Sequence, residues 1–400
     1  MGSSSYETVQ ITTTRKDHFN PPTEWGEWRA EAPIRRLTFP DGHRGWLVSG
    51  YRHARTLLAD PRFSNRPELQ HAVLPILLFE DPQGLGLPPG FFIFLDPPEH
   101  TRYRGALTGQ FTVRRMRLLE SRVAEIVTEH LDAMEAAGPP ADLMADFALP
   151  IPSLVICELL GVPYDDREVF QRETDVLIAF DVGMDEAQAA MARLAGYLLG
   201  LVARKRAAPS DDLLGGLAGG TDLSDAEITG MAFLLLGAGH ETTASMLGLG
   251  TLALLRHPAQ LAAMRDDPDV VDGGVEELMR YLSVVTAGVT RAALDDVEFE
   301  GHLVKAGESV VFLLPEANRD PLRFGAPDEL DLSRTASGHL AFGHGIHQCL
   351  GQQLARIELR IAFPALLRRF PGLRPAVPIE QITVKPGSLI HGLTRFPVTW

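Results

Sequence analysis

Cysteine is nearly absent from this 400-residue chain: Cys157 and Cys349 are the only two. A disulfide framework is therefore excluded, and a reducing compartment such as the cytoplasm suits the chain. Basic charge is also short, with 37 Lys and Arg against 52 Asp and Glu and a formal net charge of −15. That balance argues against nucleic acid as the main partner, because phosphate binding needs a basic footprint. The opening residues Met1-Gly2-Ser3-Ser4-Ser5-Tyr6 lack the apolar core of a signal peptide or membrane anchor, and Tyr6 stands where a myristoylation signal requires Ser or Thr. A membrane partner is not expected. Apolar residues make up 45% of the chain, ample for the core of a large enzyme, read here as one domain over residues 1–400.

One cysteine has an unusual setting. Residues 338–351, Gly-His-Leu-Ala-Phe-Gly-His-Gly-Ile-His-Gln-Cys-Leu-Gly, form a Gly-rich loop that delivers Cys349 to the start of a periodic helix. Leu350, Leu354, Ile357 and Ile361 fall at i, i+4, i+7 and i+11 and make one apolar stripe. At a helix N-terminus the free N–H groups and the macrodipole favour a thiolate over a thiol, so Cys349 reads as a metal ligand. Gly343, Gly345 and Gly351 let the backbone turn tightly and let something large and flat approach it. Phe342 can then shield the sulfur from water. The usual fate of a free Cys is to be a small core residue, and that reading fits Cys157, which follows Val155 and Ile156.

A second stretch carries its own signals. The capping box Ser224-Asp225-Ala226-Glu227 opens a proline-free run to Arg256, a helix roughly 48 Å long at 1.5 Å per residue. Its middle reads Gly237-Ala238-Gly239-His240-Glu241-Thr242-Thr243. His240 and Glu241 at the centre would be costly in lipid, which rejects a transmembrane span. Ala244 stands where a His-Glu-x-x-His zinc helix needs its second His.

Phe342, Gly345, His347, Cys349 and Gly351 match, position by position, the Phe-x-x-Gly-x-His-x-Cys-x-Gly signature of the haem-thiolate monooxygenases. On those residues the chain is similar to the cytochromes P450, of the soluble bacterial, actinomycete type. The resemblance implies a mostly α fold with small β-sheets and haem b as cofactor, with Cys349 as the axial thiolate that pushes electron density onto iron. Ala238 to Thr243 match the family's oxygen-activation motif, (Ala/Gly)-Gly-x-(Asp/Glu)-Thr-(Thr/Ser). By that match Ala238 and Gly239 leave room for O2, while Glu241 and Thr242 relay protons, which is general acid work. His100 and Arg104 share one helix face. The resemblance implies that they, Arg291 and His347 hold the haem propionates, with Phe342 and Gly351 completing the cofactor pocket. Glu277, Arg280 and Arg334 match the family's buried network under the haem. No Cys-x-x-Cys-His is present, so the haem is expected without thioether bonds.

The rest of the chain supplies a coarse frame. Residues 33–49 read as a hairpin around Asp41-Gly42, and helices are expected over Tyr51–Leu58, 113–136 and 149–163, with two more between 165 and 206. Residues 207–222, rich in Gly, Ala, Pro and Asp, read as a surface loop. Strands are expected at Val297–Phe299, Ser309–Leu314, Ile382–Val384 and Arg395–Trp400, and Pro364 should kink or loosen the Cys349 helix. Residues 68–95 are irregular and apolar, and so long a loop is usually functional. By resemblance it covers the substrate pocket, with Phe92, Phe94, Phe180, Leu234, Val285, Ala287, Val289 and Ile390 as candidate wall residues.

The implied reaction inserts one oxygen atom of O2 into a hydrophobic small molecule, by hydroxylation or epoxidation, with electrons from ferredoxin and an NAD(P)H-ferredoxin reductase. A polyketide or terpenoid of secondary metabolism is the expected substrate class. A peroxide-driven or oxidative-coupling enzyme is the rival on the same fold. Members driven by peroxide tend to lack the acid and alcohol pair, which disfavours that reading. For a non-catalytic haem-thiolate sensor Glu241 and Thr242 would have no purpose. From Glu99 to Arg122 six arginines face two acids, a local excess that can steer an acidic partner. Arg102, Arg114, Arg115 and Arg117 are therefore candidates for ferredoxin docking. Replacing Cys349 with His should keep some haem yet abolish the red-shifted carbonyl Soret band of a thiolate ligand. A variant that kept the band would contradict the ligand assignment.

Overall fold

A computed structural model describes residues 11, 15, 17–73, 87–111, 113–167, 170, 172–173, 176, 184–386 and 388–400. Helix α1 (Thr23–Glu31) leads into the hairpin β1 (Ile34–Thr38) and β2 (Arg44–Val48), then α2 (Tyr51–Leu58) and β3 (Phe63–Ser64). The hairpin turns where expected: Asp41 accepts the N–H of His43 at 2.9 Å and Gly42 takes a φ of 86°. The helical body follows, with α3 (Glu99–Thr108), α4 (Val113–Ala137), the short β4 (Ala141–Asp142), α5 (Pro150–Leu160), α6 (Met184–Ala207), α7 (Leu213–Gly220), α8 (Asp225–Arg256), α9 (Pro258–Asp266) and α10 (Pro268–Leu282). Strands β5 (Val289–Ala293), β6 (Val297–Phe299), β7 (His302–Val304) and β8 (Ser309–Phe312) precede α11 (Leu314–Ala317), α12 (Gln352–Arg369), β9 (Arg374–Pro375) and β10 (Pro397–Thr399). The main sheet has the order β1-β2-β8-β5-β3, and its β2–β8 pair is parallel. The expected class, mostly α with small sheets, stands.

Helix α8 organises the body. Its 32 residues start at the capping box, where Ser224 Oγ accepts the Glu227 N–H and the Glu227 carboxylate accepts the Ser224 N–H at 2.7 Å. From Ala244 to Leu254 every residue is buried, and a helix buried all round belongs inside a core. It packs against α5, α6 and α12. Gly230 and Gly90 let the segment that carries Phe91 and Phe92 lie directly on its first turns. A Cβ on Gly230 would collide with the Pro89 carbonyl oxygen, and one on Gly90, at a φ of 90°, with that of Glu227. A second apolar cluster fills the space between the main sheet and α2.

Three expectations need correction. Residues 213–220 form α7 instead of a loop: Asp212 caps it by accepting the Gly215 N–H at 2.8 Å, and Leu213, Leu214, Leu217 and Ala218 are buried. Tertiary burial outweighs the poor helix propensity of its glycines. Ile382–Val384 is no strand, only a single bridge from Val384 to Leu393. Helix α12 begins at Gln352, beyond Cys349, with Pro364 inside it. Residues 74–86 of the apolar loop, and Phe180, lie outside the described residues.

Glu227 joins this framework to α3, accepting from Arg102 at 2.5 Å and from the Tyr103 hydroxyl at 2.8 Å. Burial raises its pKa, but the bonds from Arg102, Ser224 and Tyr103 outweigh that and hold it at about 2, against an ordinary 4.5. A folded value below the unfolded one gives stability that is present above pH 4.5 and lost as the pH falls toward 2. Glu227→Gln should thus cost about 1 kcal/mol at neutral pH. Its difference from the parent in urea denaturation should shrink as the pH falls from 4.5 toward 2; a difference independent of pH would contradict the ion-pair account.

Candidate active site

A cavity of about 400 Å³ lies between α8, the wall that ends in β5, and the loop that carries Cys349. The structure brings Arg104, Arg291, Phe342, His347, Cys349 and Gly351 to its lining, with Ala238 and Thr242 from α8. Of the expected pocket residues, Phe92, Phe94, Leu234, Val285 and Val289 line it too.

The cysteine loop is held at several points. Tyr51 Oη donates to the Gly338 carbonyl at 2.6 Å, the Leu340 N–H donates to Asn318 Oδ1 at 2.7 Å, and the Cys349 N–H closes the turn on the Phe342 carbonyl at 2.9 Å. Gly345, at a φ of 78°, sits where a Cβ would collide with the Leu58 carbonyl oxygen. Behind the loop, Glu277 accepts from Arg280 at 2.7 and 2.8 Å and from Arg334 at 3.1 Å, and Arg280 continues to the carbonyls of Asn318 and Pro327. Breaking such a buried pair costs about 3–5 kcal/mol because a charge is left uncompensated.

Cys349 has an exposed side chain, but the space it faces is the interior cavity. Burial pushes its thiol up; the N–H groups of Gly351 and Gln352, with Arg104 and Arg356, pull the other way. A metal would decide that contest, since a coordinating thiol is deprotonated outright. By contrast Cys157 is buried in the core, and desolvation takes its thiol to about 12.

Buried cationic and imidazole groups cluster on and just behind the wall of the same cavity. Arg291 is deeply buried, its pKa is lowered to about 10 by desolvation, and its Nη1 donates only to Asn65 Oδ1 and the Thr290 carbonyl. Burial likewise lowers Arg104, whose Nη2 reaches the Gln348 carbonyl at 2.7 Å. His347 Nδ1 and both ring nitrogens of His100 are buried without a partner, and the two rings lie 4.3 Å apart. A flat group with carboxylates on one edge and a metal at its centre would supply what these atoms lack, so the residues fit haem. Gly351 faces open space, which lets such a group approach the backbone.

The Cytochrome P450 family model matches residues 210–393. Over 98% of both chains the sequence is 50% identical to cytochrome P450 105C1 of a Streptomyces species. It is 44% identical to pentalenic acid synthase of Streptomyces avermitilis, over 100% of this chain and 99% of that one. The crystal structure of cytochrome P450 MoxA from Nonomuraea recticatena superposes with a TM-score of 0.92 at 42% identity, covering 98% of each chain. The chain belongs to the cytochrome P450 family. Members bind haem b through a thiolate, and as a P450 monooxygenase the protein incorporates one atom of O2 into a small molecule. Among the described residues no helix is long and apolar enough to cross a membrane.

Several residues expected at this P450 site stand elsewhere. Glu241 does not line the cavity; its carboxylate takes Lys385 Nζ at 3.1 Å. The cause is helical geometry, since successive residues turn by about 100° and Thr242 takes the inward direction. His100 is packed behind His347. Ala287 points into the cluster of Trp25, Leu37 and Val311, because a bend at this residue breaks the alternation that would have turned it inward. Ile390 is bridged to Val285 along the backbone and packs on the main core. The arginine-rich segment is largely neutralised within the fold. Arg102 pairs with Glu227 and Asp222, Arg115 with Asp211, and Arg122 with Glu125, Glu129 and Glu158. Arg117 is exposed, and the side chain of Arg114 lies outside the described residues.

Asn65, Gln70 and Glu358 also line the cavity and were missed from sequence. Asn65 and Gln70 sit in a polar stretch with no periodic pattern. Glu358 had a signal, an acid four residues after Leu354 within the apolar stripe. Burial raises its carboxyl well above the usual range, and Oε2 has no partner.

Proposed function

We propose that this P450 hydroxylates or epoxidises a hydrophobic secondary metabolite in the cytoplasm, with electrons from a ferredoxin and an NAD(P)H-ferredoxin reductase. The observation that carries the reading is a predominantly apolar cavity with Cys349 and Thr242 both on its lining. Relatives such as pentalenic acid synthase support the metabolite class. When bound, haem supplies the redox-active iron at which O2 is reduced.

The chain's own residues do the rest. Cys349 Sγ holds the iron, Phe342 keeps water from the sulfur, and Arg104, Arg291 and His347 hold the propionates. His100 fixes the His347 ring from behind. Ala238 and Gly239 are small and would leave room for O2 on the cavity side of α8. Thr242 Oγ1 keeps a proton on the cavity wall, donated to the Ala238 carbonyl at 2.9 Å while the site is at rest. Glu241 resupplies that hydroxyl from the outer side of α8, where its carboxylate is shared with Lys385. Phe92, Phe94, Leu234, Val285 and Val289 contact the substrate.

Thr242→Ala should leave haem content and substrate binding intact while product formed per NAD(P)H falls and hydrogen peroxide rises, because the hydroxyl that holds the proton is gone. Unchanged coupling would reduce Thr242 to packing. For the redox partner, pairing of Arg102, Arg115 and Arg122 within the fold leaves exposed Arg117 as the described docking candidate. Arg117→Glu should slow ferredoxin-supported turnover, weaken its salt dependence and spare peroxide-supported turnover, since salt screens only exposed docking charges. Equal losses with both electron sources would contradict a docking role.

A further inference from the structure

Asn65 follows β3 and stands at a junction of three elements that approach the cavity from different parts of the chain. Its Oδ1 accepts Arg291 Nη1 from β5 at 2.6 Å. On the same amide, Nδ2 donates to the Ile93 carbonyl, in the aromatic turn Phe92–Phe94. Its backbone N–H donates to Asp96 Oδ1 at 2.9 Å, and Ser64 Oγ donates to Asp96 Oδ2 at 2.6 Å. The Asp96 carbonyl accepts the His100 N–H at 3.0 Å, at the entry of α3, which carries His100 and Arg104.

Two features of this junction stand out physically. Arg291 is a buried cation whose hydrogen bonds go to neutral acceptors, the Asn65 amide oxygen and the Thr290 carbonyl, while the Asp96 carboxylate favours its charge without bonding to it directly. A guanidinium is a rigid planar fork, and one hydrogen bond from a side chain that is itself tied down at two other points suffices to aim it. Asn also offers acceptor and donor on one planar group, which Asp, Ser or Ala cannot do.

We propose that Asn65 is a positioning residue that aims Arg291 at the cofactor's carboxylate edge and locks the Phe92–Phe94 turn to the same point. The cation that holds the cofactor and the aromatic wall that meets the substrate then share one anchor. The proposal rests on the reading of this cavity as the haem site.

The test uses the full-length holoprotein and two readouts other than turnover. Haem loss is followed by transfer to apomyoglobin, and the pocket wall is probed by the Soret shift on titration with the apolar azole clotrimazole. Asn65→Ala should speed haem loss about tenfold, the worth of one hydrogen bond to a charged group, and weaken clotrimazole binding. In an Arg291→Ala background the haem-loss effect of Asn65→Ala should vanish, because residues acting through one another are not additive. Asn65→Asp keeps the acceptor for Arg291 and loses the donor to Ile93. It should return haem loss to within about twofold of the parent while clotrimazole stays weak. Additive effects of the two alanine variants, or an Asn65→Ala protein that keeps haem as the parent does, would overturn the role of Asn65. An Arg291→Ala protein that keeps haem as tightly as the parent would overturn the haem-site reading and the proposal with it.

Discussion

Burial sets the terms at the cavity. It pushes the Cys349 thiol up and the Arg291 guanidinium down, so a partner of opposite sign would favour the charged form of each. The same constraint leaves His100 and His347 with unpartnered ring nitrogens. A site built this way is unfavourable empty and favourable when filled, since a ligand that binds only the folded state stabilises it by mass action. The surrounding architecture is the cost of holding such groups still. The Glu277–Arg280–Arg334 network, the Asn318 amide and the Tyr51 hydroxyl all brace the segment that ends at Cys349.

Helix α8 divides the chemistry between two of its faces. One face presents Ala238, Gly239, Thr242 and Met246 to the cavity. A neighbouring face carries Glu241 to Lys385, and on a third side His240 Nε2 donates to the Leu149 carbonyl at 2.9 Å. His240 is neutral in that place, its pKa lowered by burial to about 4. The consecutive residues His240, Glu241 and Thr242 thus go in three directions, each with its own partner. The acid lies beside the alcohol in sequence yet around the helix from it in space, which makes Lys385 part of any account of how protons reach Thr242.

Local signals in the sequence carried much of this architecture. The capping box placed the start of α8, Asp41-Gly42 placed the hairpin, and the stripe through Leu354 and Ile357 placed α12. These features are short-range, and their physics is contained within a few residues. The cysteine loop and the oxygen motif were equally legible because a family resemblance named them, and the fold sets Cys349, Ala238, Gly239 and Thr242 on one cavity. Failures came where direction or long-range packing decides. Glu241 and Ala287 were placed at the site by the family match, whereas helix rotation and a backbone bend turn them off the cavity lining. Helix α7 was hidden by its glycines, and the Asp212 cap with the burial of its own leucines makes it a helix. The arginines around α4 looked like a free patch because their partners, Glu227, Asp211 and Glu158, come from distant parts of the chain. Asn65 carried no motif at all, and its place follows only from the meeting of β5, the Phe92–Phe94 turn and α3.

The central claim is that this cavity is the haem site, where Cys349 would hold the iron and Arg104, Arg291 and His347 the carboxylates. Anomalous diffraction at the iron edge from crystals of the purified holoprotein tests this directly. The account predicts one iron peak bonded to Cys349 Sγ, with propionate oxygens within hydrogen-bond distance of Arg291 and Arg104. An iron ligated by His344 or His347 in place of the sulfur, or propionates turned away from Arg291, would contradict it.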